Sequence, residues 1–302
     1  MRALLLFLAQ SIGFRNFAMK CKPFRAAALR FIAGETLDEA IGAVRDVNKN
    51  RVSCSLDLLG ENTCSREDAG KAVRDVLVIL DRIHVEKVDC NVSVKLTQLG
   101  LALDPEFCAQ NLLQIVAHAR SMGNFVRVDM ENSYHTQQTL DLVDRIHQSF
   151  ENVGAVIQAY LYRSEQDTLR MLEKNIRLRL VKGAYLEPEA VAFRRKKDTD
   201  ANFLKLARIL LQSDTYNAIA THDESIIQAV KKFARTQGIL KDQFEFQMLF
   251  GIRRDLQRRL AQEGYNVRVY IPYGEYWFPY FMRRLAERPA NVSFFLRNLL
   301  RK

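Results

Sequence analysis

The chain has 302 residues, of which 48% are apolar, 26% charged and 10% aromatic, and it carries a net charge of +10. That composition belongs to a folded enzyme-like chain and excludes disordered, collagen-like and coiled-coil classes, while the length suits a single α/β barrel of roughly 200 to 300 residues. The apolar run Ala3 to Ala9 is under half the roughly 18 to 20 residues that cross a bilayer, and no small-x-small cleavage site follows it, so neither a membrane anchor nor a secretion signal is expected.

Residues 1–45 predict an N-terminal helical arm packed on a domain formed by residues 46–302. The arm is basic: Arg2, Arg15, Lys20, Lys22, Arg25 and Arg30 precede the first acidic residue, Glu35. Two readings stay open, attraction to an anionic surface or a solvated helical face. Segments rich in Val, Ile, Leu and aromatics then recur at Val52 to Leu59, Val88 to Leu96, Phe125 to Met130, Val153 to Leu161, Ile176 to Val181, Tyr216 to Thr221, Phe244 to Leu249 and Val267 to Ile271. These are eight strand candidates. Between them lie stretches of helical period: Ser65 to Ile83 behind a Ser65/Asp68 capping box, Thr136 to Phe150, Ser164 to Lys174 behind a second box at Ser164/Asp167, and Glu224 to Gln237. Strands alternating with helices at this count predict a (βα)8 barrel. A doubly wound sheet is the alternative, but the chain contains no G-x-G, which argues against a Rossmann or P-loop nucleotide site.

Cys21, Cys54, Cys64, Cys90 and Cys108 are odd in number and lack C-x-x-C spacing, which fits a reduced, cytoplasmic protein with no metal site. The basic run Arg194 to Lys197 has no interleaved aromatics, so it reads as a solvated loop and no nucleic-acid partner is expected.

Functional residues of such a barrel belong at the C-terminal strand ends. Those ends carry Lys95, Asp129 with Glu131, Gln158, Arg179 with Lys182, Thr221 with His222, Gln247 and Tyr270. So many polar groups are expensive to bury without a ligand to satisfy them. Each also has a plain structural reading: Lys95 could snorkel to solvent, Asp129 could cap the next helix, Gln158 could be a satisfied core amide. Arg179 to Tyr185 places a charged strand before Gly183, where backbone amides could approach an anion, and so points to a phosphate-bearing cofactor. On the last helix Tyr280, Arg283, Arg284 and Glu287 share one face, either as a fork for a small carboxylate or as an exposed ion-paired surface.

The motifs Ser93-Val94-Lys95-Leu96, Val128-Asp129-Met130-Glu131, Gln158-Ala159-Tyr160-Leu161, Arg179 to Tyr185, Ala220-Thr221-His222-Asp223, Phe246-Gln247-Met248-Leu249 and Tyr280 with Arg283 to Glu287 span nearly the whole chain. In that order the chain resembles the bacterial monofunctional proline dehydrogenases, FAD enzymes that oxidise L-proline to 1-pyrroline-5-carboxylate as the first step of proline degradation to glutamate. The resemblance implies a distorted (βα)8 barrel with a C-terminal helix covering the active site, hydride transfer from proline C5 to flavin N5, and a quinone-type acceptor reached by peripheral membrane contact. It implies that Lys95, Arg283 and Arg284 bind the substrate carboxylate, that Asp129 pairs near them, that Glu287 orients the arginines, and that Tyr270 and Tyr280 line the proline pocket. Met130, Gln158, Arg179, Lys182, Gly183, Ala184, Thr221 and His222 become flavin ligands, with Arg179 near N5 and Lys182 near the pyrophosphate; Asp223 stands where many relatives have Asn. The alternative chemistry is an aldolase or decarboxylase with Lys95 or Lys182 as a Schiff-base nucleophile. A third reading is a basic scaffold acting through its first 30 residues.

Overall fold

The computed structural model describes residues 28–60 and 63–287, so Arg2 to Arg25 of the basic arm lie outside the described residues. Eight parallel strands close into a barrel in sequence order: β1 Ser53–Leu58, β2 Cys90–Val94, β3 Val126–Val128, β4 Val153–Gln158, β5 Leu178–Val181, β6 Asn217–Ala220, β7 Phe244–Leu249 and β8 Asn266–Tyr273. All eight strand candidates are present, although β3 is shorter than expected and β8 longer. Among the described residues the helices are α1 Leu37–Asn48, α2 Arg66–Glu86, α3 Pro105–Ser121, α4 Thr136–His147, α5 Ser164–Leu172, α6 Lys196–Leu211, α7 Glu224–Thr236, α8 Arg254–Gln262 and α9 Trp277–Glu287. The boundary expected at residue 45 falls inside α1.

Helix starts follow local capping chemistry only in part. Thr36 with Glu39 and Ser65 with Asp68 form complete capping boxes at α1 and α2. The second box expected from sequence, Ser164/Asp167, does not form: Arg163 occupies the N-cap without a side-chain cap bond. Asp167 is drawn instead into an ion pair with Arg163 at 2.7 Å, and the Ser164 hydroxyl accepts from Asn202 at 2.9 Å. A partner across the helix turn and one from α6 outcompete the local bond.

Alternation along each strand sorts the side chains into two layers. Outward positions such as Leu56, Val94, Val128, Leu180, Phe246 and Val269 are buried against the helices in one continuous apolar core. Many of the inward positions are polar. Ser55, Asp57, Ser93, Arg127, Arg179, Glu245 and Gln247 are all buried, where barrels of this kind usually pack branched apolar side chains. Lower in the barrel, Arg268 donates to Glu245 at 3.0 Å and to the Cys54 carbonyl at 2.7 Å, and Arg127 donates to the carbonyls of Ala155 and Arg177. Gly154 leaves the room for this, since a Cβ there would lie 2.3 Å from the Arg177 carbonyl oxygen and 2.7 Å from an Arg127 nitrogen. Gln247, expected to face the barrel mouth, lies within β7 and donates to Glu245 in this lower layer.

Helix α9 leaves the C-terminal end of β8 and buries Trp277, Phe278, Tyr280, Phe281 and Met282. It is tied to the residues before α1 by Trp277 Nε1, which donates to Glu35 at 2.9 Å, and by the Phe31 and Phe281 rings with centroids 6.0 Å apart.

Candidate active site

The upper inward layer brings five strands to one point. Arg179 of β5 is 4% exposed; its Nη1 donates to Asp129 Oδ1 at 2.7 Å and its Nη2 to the Ser93 hydroxyl at 3.1 Å. Asp129, just beyond β3, also accepts from the Tyr270 hydroxyl at 2.7 Å. Lys95, just beyond β2, lies 2.6 Å from Asp57, 3.4 Å from the Tyr270 hydroxyl and 3.6 Å from Asp129. The Arg179 guanidinium stacks 5.3 Å from the centroid of the Tyr270 ring. Two cations, two carboxylates and a phenol thus form one neutral cluster on the barrel axis.

Several sequence alternatives are decided by this geometry. Lys95 is paired inside the barrel and does not snorkel away. Asp129 caps no helix, because the short 3-10 turn Ser133–His135 has Asn132 as its N-cap. Burial opposes the charge on Lys95, but Asp57 and Asp129 outweigh it and raise its pKa above the ordinary lysine value. Burial, then Asp129 and Asp57, push the Tyr270 phenol well up, which keeps it a neutral donor. Glu131 accepts from the Thr97 backbone at 3.1 Å and hydroxyl at 2.6 Å, tying the turn after Lys95 to the end of β3.

A second cluster lies at the mouth beyond β5 and β6. Lys182 reaches Asp200 at 2.5 Å and Asp223 at 3.0 Å, and Lys196 pairs with the same two carboxylates. Asp223 caps α7 through the Ser225 amide. Burial opposes its ionisation, but the Ser225 hydroxyl and Lys182 hold its carboxyl well below the usual range. His222 Nε2 accepts from the Leu249 amide at 2.9 Å, and the buried Thr221 hydroxyl accepts from the Asp223 amide at 3.1 Å. Gly183 has φ +111°, and a Cβ there would sit 2.2 Å from the Tyr160 ring. The glycine is therefore required by backbone conformation and by Tyr160, a different reason from the anion approach its position suggested.

Several buried polar atoms in this region lack protein partners among the described residues, Asp57 Oδ2 among them. Gln158 Oε1 and Arg179 Nε are both buried and make no hydrogen bond among the described residues. A buried amide oxygen and guanidinium nitrogen are costly unless something satisfies them. Both belong to residues that the sequence motifs connect to a flavin, so these residues fit such a guest. Met130, next to Asp129 in sequence, is buried, and Ala184 is exposed on the loop after β5. On α9, Tyr280 is buried and the Arg284 guanidinium lies 5.2 Å from its ring centroid. The side chains of Arg283 and Glu287 lie outside the described residues.

Sequence reasoning missed Asp57 and Asp200; it named Ser93 only within a strand motif and read Lys196 as part of a solvated loop. Asp57 did carry a signal, a carboxylate between two leucines in an apolar strand.

A (βα)8 barrel with a charged cluster on its axis and unsatisfied polar atoms at its strand ends defines a barrel enzyme that binds a polar cofactor and a small charged substrate. Residues 40–297 match the family model described as proline dehydrogenase. The chain belongs to the proline dehydrogenase family, flavin-dependent enzymes that oxidise L-proline. It is 42% identical to proline dehydrogenase 1 of Bacillus subtilis (strain 168) over 100% of both chains. It is 42% identical to the proline dehydrogenase of Deinococcus radiodurans over 279 residues, 91% of this chain and 90% of that one. Among solved structures it is similar to proline utilization A (PutA) from Bdellovibrio bacteriovorus inactivated by N-propargylglycine, with a TM-score of 0.85 and 27% identity. That match covers 94% of this chain and 35% of the other.

Proposed function

We propose that the chain oxidises L-proline to 1-pyrroline-5-carboxylate with FAD held at the C-terminal strand ends, and that the axial cluster of Lys95, Asp129, Arg179 and Tyr270 carries the reaction. The observation that carries this reading is the cluster itself, together with the buried, unpartnered Arg179 Nε and Gln158 Oε1. FAD supplies the N5 that accepts hydride from proline C5. Gln158, Arg179, Lys182, Thr221, His222 and the Met130, Gly183 and Ala184 backbone hold the cofactor. Lys95, Arg283 and Arg284 bind the substrate carboxylate, Glu287 orients the arginines, and Tyr270 and Tyr280 line the ring pocket.

The residues perform three tasks. Asp129 fixes Arg179 and Tyr270 in one arrangement, so the charged donor is in place before the reaction and needs no reorganisation. Arg179 then stabilises the negative charge that develops as the cofactor is reduced. The carboxylate ligands bring C5 to a fixed position, converting an encounter into an oriented contact.

The Schiff-base alternative is set aside on physical grounds. A nucleophilic lysine must be neutral, whereas Lys95 is held as an ammonium between Asp57 and Asp129, and Lys182 is locked between Asp200 and Asp223. Among the described residues no helix is long and apolar enough to cross a membrane. The proposed electron acceptor is quinone-type, and the basic N-terminal segment is the proposed element for peripheral membrane contact.

Lys182→Ala tests the cofactor assignment. The variant should lose flavin on dilution at least about tenfold more readily than the wild type, while the flavin that stays bound turns over at a similar rate, because a lost phosphate contact removes mainly uniform binding. Unchanged flavin retention would show that Lys182 serves only its two carboxylates.

A further inference from the structure

Asp57 is the fifth residue of β1 and its side chain is 1% exposed. Its Oδ1 receives Lys95 at 2.6 Å, and its Oδ2 is buried and meets no donor among the described residues. A carboxylate so fully removed from water stays ionised only beside a full positive charge, and a buried ammonium needs the converse. Asp57 therefore supports the charge of Lys95. We infer that Asp57 is a positioning residue for proline oxidation: it holds Lys95 as a fixed ammonium on the barrel axis, where Lys95 meets the substrate carboxylate. This rests on the reading of Lys95 as a carboxylate ligand.

The groups facing Lys95 from each packed element support the assignment. They are Asp57 from β1, Asp129 beyond β3, the Tyr270 hydroxyl from β8, Arg179 of β5 through Asp129, and Tyr185 in the loop after β5. Asp129 is divided between Arg179 and Tyr270 and stands 3.6 Å from Lys95, so Asp57 is the closest carboxylate. Burial acts against the Lys95 charge, and Asp57 is the strongest group opposing it. Lys95 is charged below its folded pKa and loses its proton as pH rises through it. With Asp57 present that point lies above the range of ordinary assays; removing Asp57 leaves burial opposed only by Asp129 and Tyr185, so that point is expected to fall.

The test titrates cyclopentanecarboxylate, a ring carboxylate with no amine to titrate, into the flavin-loaded enzyme and follows the visible absorbance from about pH 7 to about pH 9.5, where its carboxylate stays ionised. Wild-type affinity should change by less than about threefold, Asp57→Asn should lose at least about tenfold across that interval, and Asp57→Glu should restore the flat profile. A flat Asp57→Asn profile, or a wild type that declines as steeply, overturns the proposal. Lys95→Met separates the two levels, since it should bind weakly at every pH. Wild-type affinity in Lys95→Met would remove Lys95 from the carboxylate site and the proposal with it, whereas weak binding there beside a flat Asp57→Asn profile refutes Asp57 alone. If Asp57→Asn does not fold, the wild-type and Asp57→Glu profiles decide: both flat supports the assignment, and a tenfold decline in the wild type overturns it.

Discussion

Arg284→Met should lower kcat/KM for L-proline by about 30-fold to several thousand-fold, equivalent to about 2 to 5 kcal/mol of transition-state stabilisation. The half-buried guanidinium lies 5.2 Å from the centroid of the Tyr280 ring on a helix that leaves the C-terminal end of β8. In a pocket poor in water, an arginine gripping a carboxylate contributes through charge-assisted hydrogen bonds that a thioether of similar bulk cannot replace. If Arg284 merely stacks on Tyr280, the change costs about 1 kcal/mol or less, a factor near five. Steady-state kinetics with a soluble dye acceptor distinguish the two. Cyclopentanecarboxylate should bind the variant more weakly in the same proportion while flavin content stays near wild type, and the same pattern is expected of Arg283→Met. A variant that oxidises proline normally leaves Arg284 only its packing against the Tyr280 ring.

Arg179→Met should reduce kcat and kcat/KM together by about 100- to 1,000-fold, the loss of about 2.7 to 4 kcal/mol typical when a preorganised donor is removed from a developing charge. Arg179 is buried, and Asp129 and Ser93 fix its orientation while its Nε meets no acceptor among the described residues. It is thus built to act in the transition state more than in substrate binding. Affinity for cyclopentanecarboxylate should remain within about threefold of wild type, because the carboxylate ligands are elsewhere. A variant whose KM rises while kcat is unchanged would reassign Arg179 to substrate binding.

The barrel was legible because strand periodicity is a local property: runs such as Val153 to Leu161 or Phe244 to Leu249 show it without knowledge of their neighbours. Strand ends were less certain. β4 stops at Gln158, and Tyr270 falls within β8, because ladder pairing with the adjacent strand decides where a strand stops. The Ser164/Asp167 box failed for a related reason, since Arg163 and Asn202 offered those side chains better partners. Lys95, Asp129, Arg179 and Tyr270 were each visible at a strand end, but their mutual contacts span 34 to 175 residues of chain and no local pattern reveals them. Asp57 and Asp200 escaped notice because their partners Lys95 and Lys182 lie 38 and 18 residues away. The expectation that strand-end charges must await a ligand was too simple, as most of them satisfy one another. What they leave over among the described residues, Gln158 Oε1 and Arg179 Nε beside Asp57 Oδ2, is the more specific mark of a missing guest.

The most direct measurement is the visible spectrum of the purified protein under anaerobic conditions, before and after addition of L-proline. The account predicts a yellow, flavin-loaded enzyme whose absorbance bleaches on adding L-proline, releases FAD on denaturation, and leaves 1-pyrroline-5-carboxylate in solution. A colourless protein that takes up no added FAD, or a yellow protein whose spectrum L-proline leaves unchanged, would contradict it.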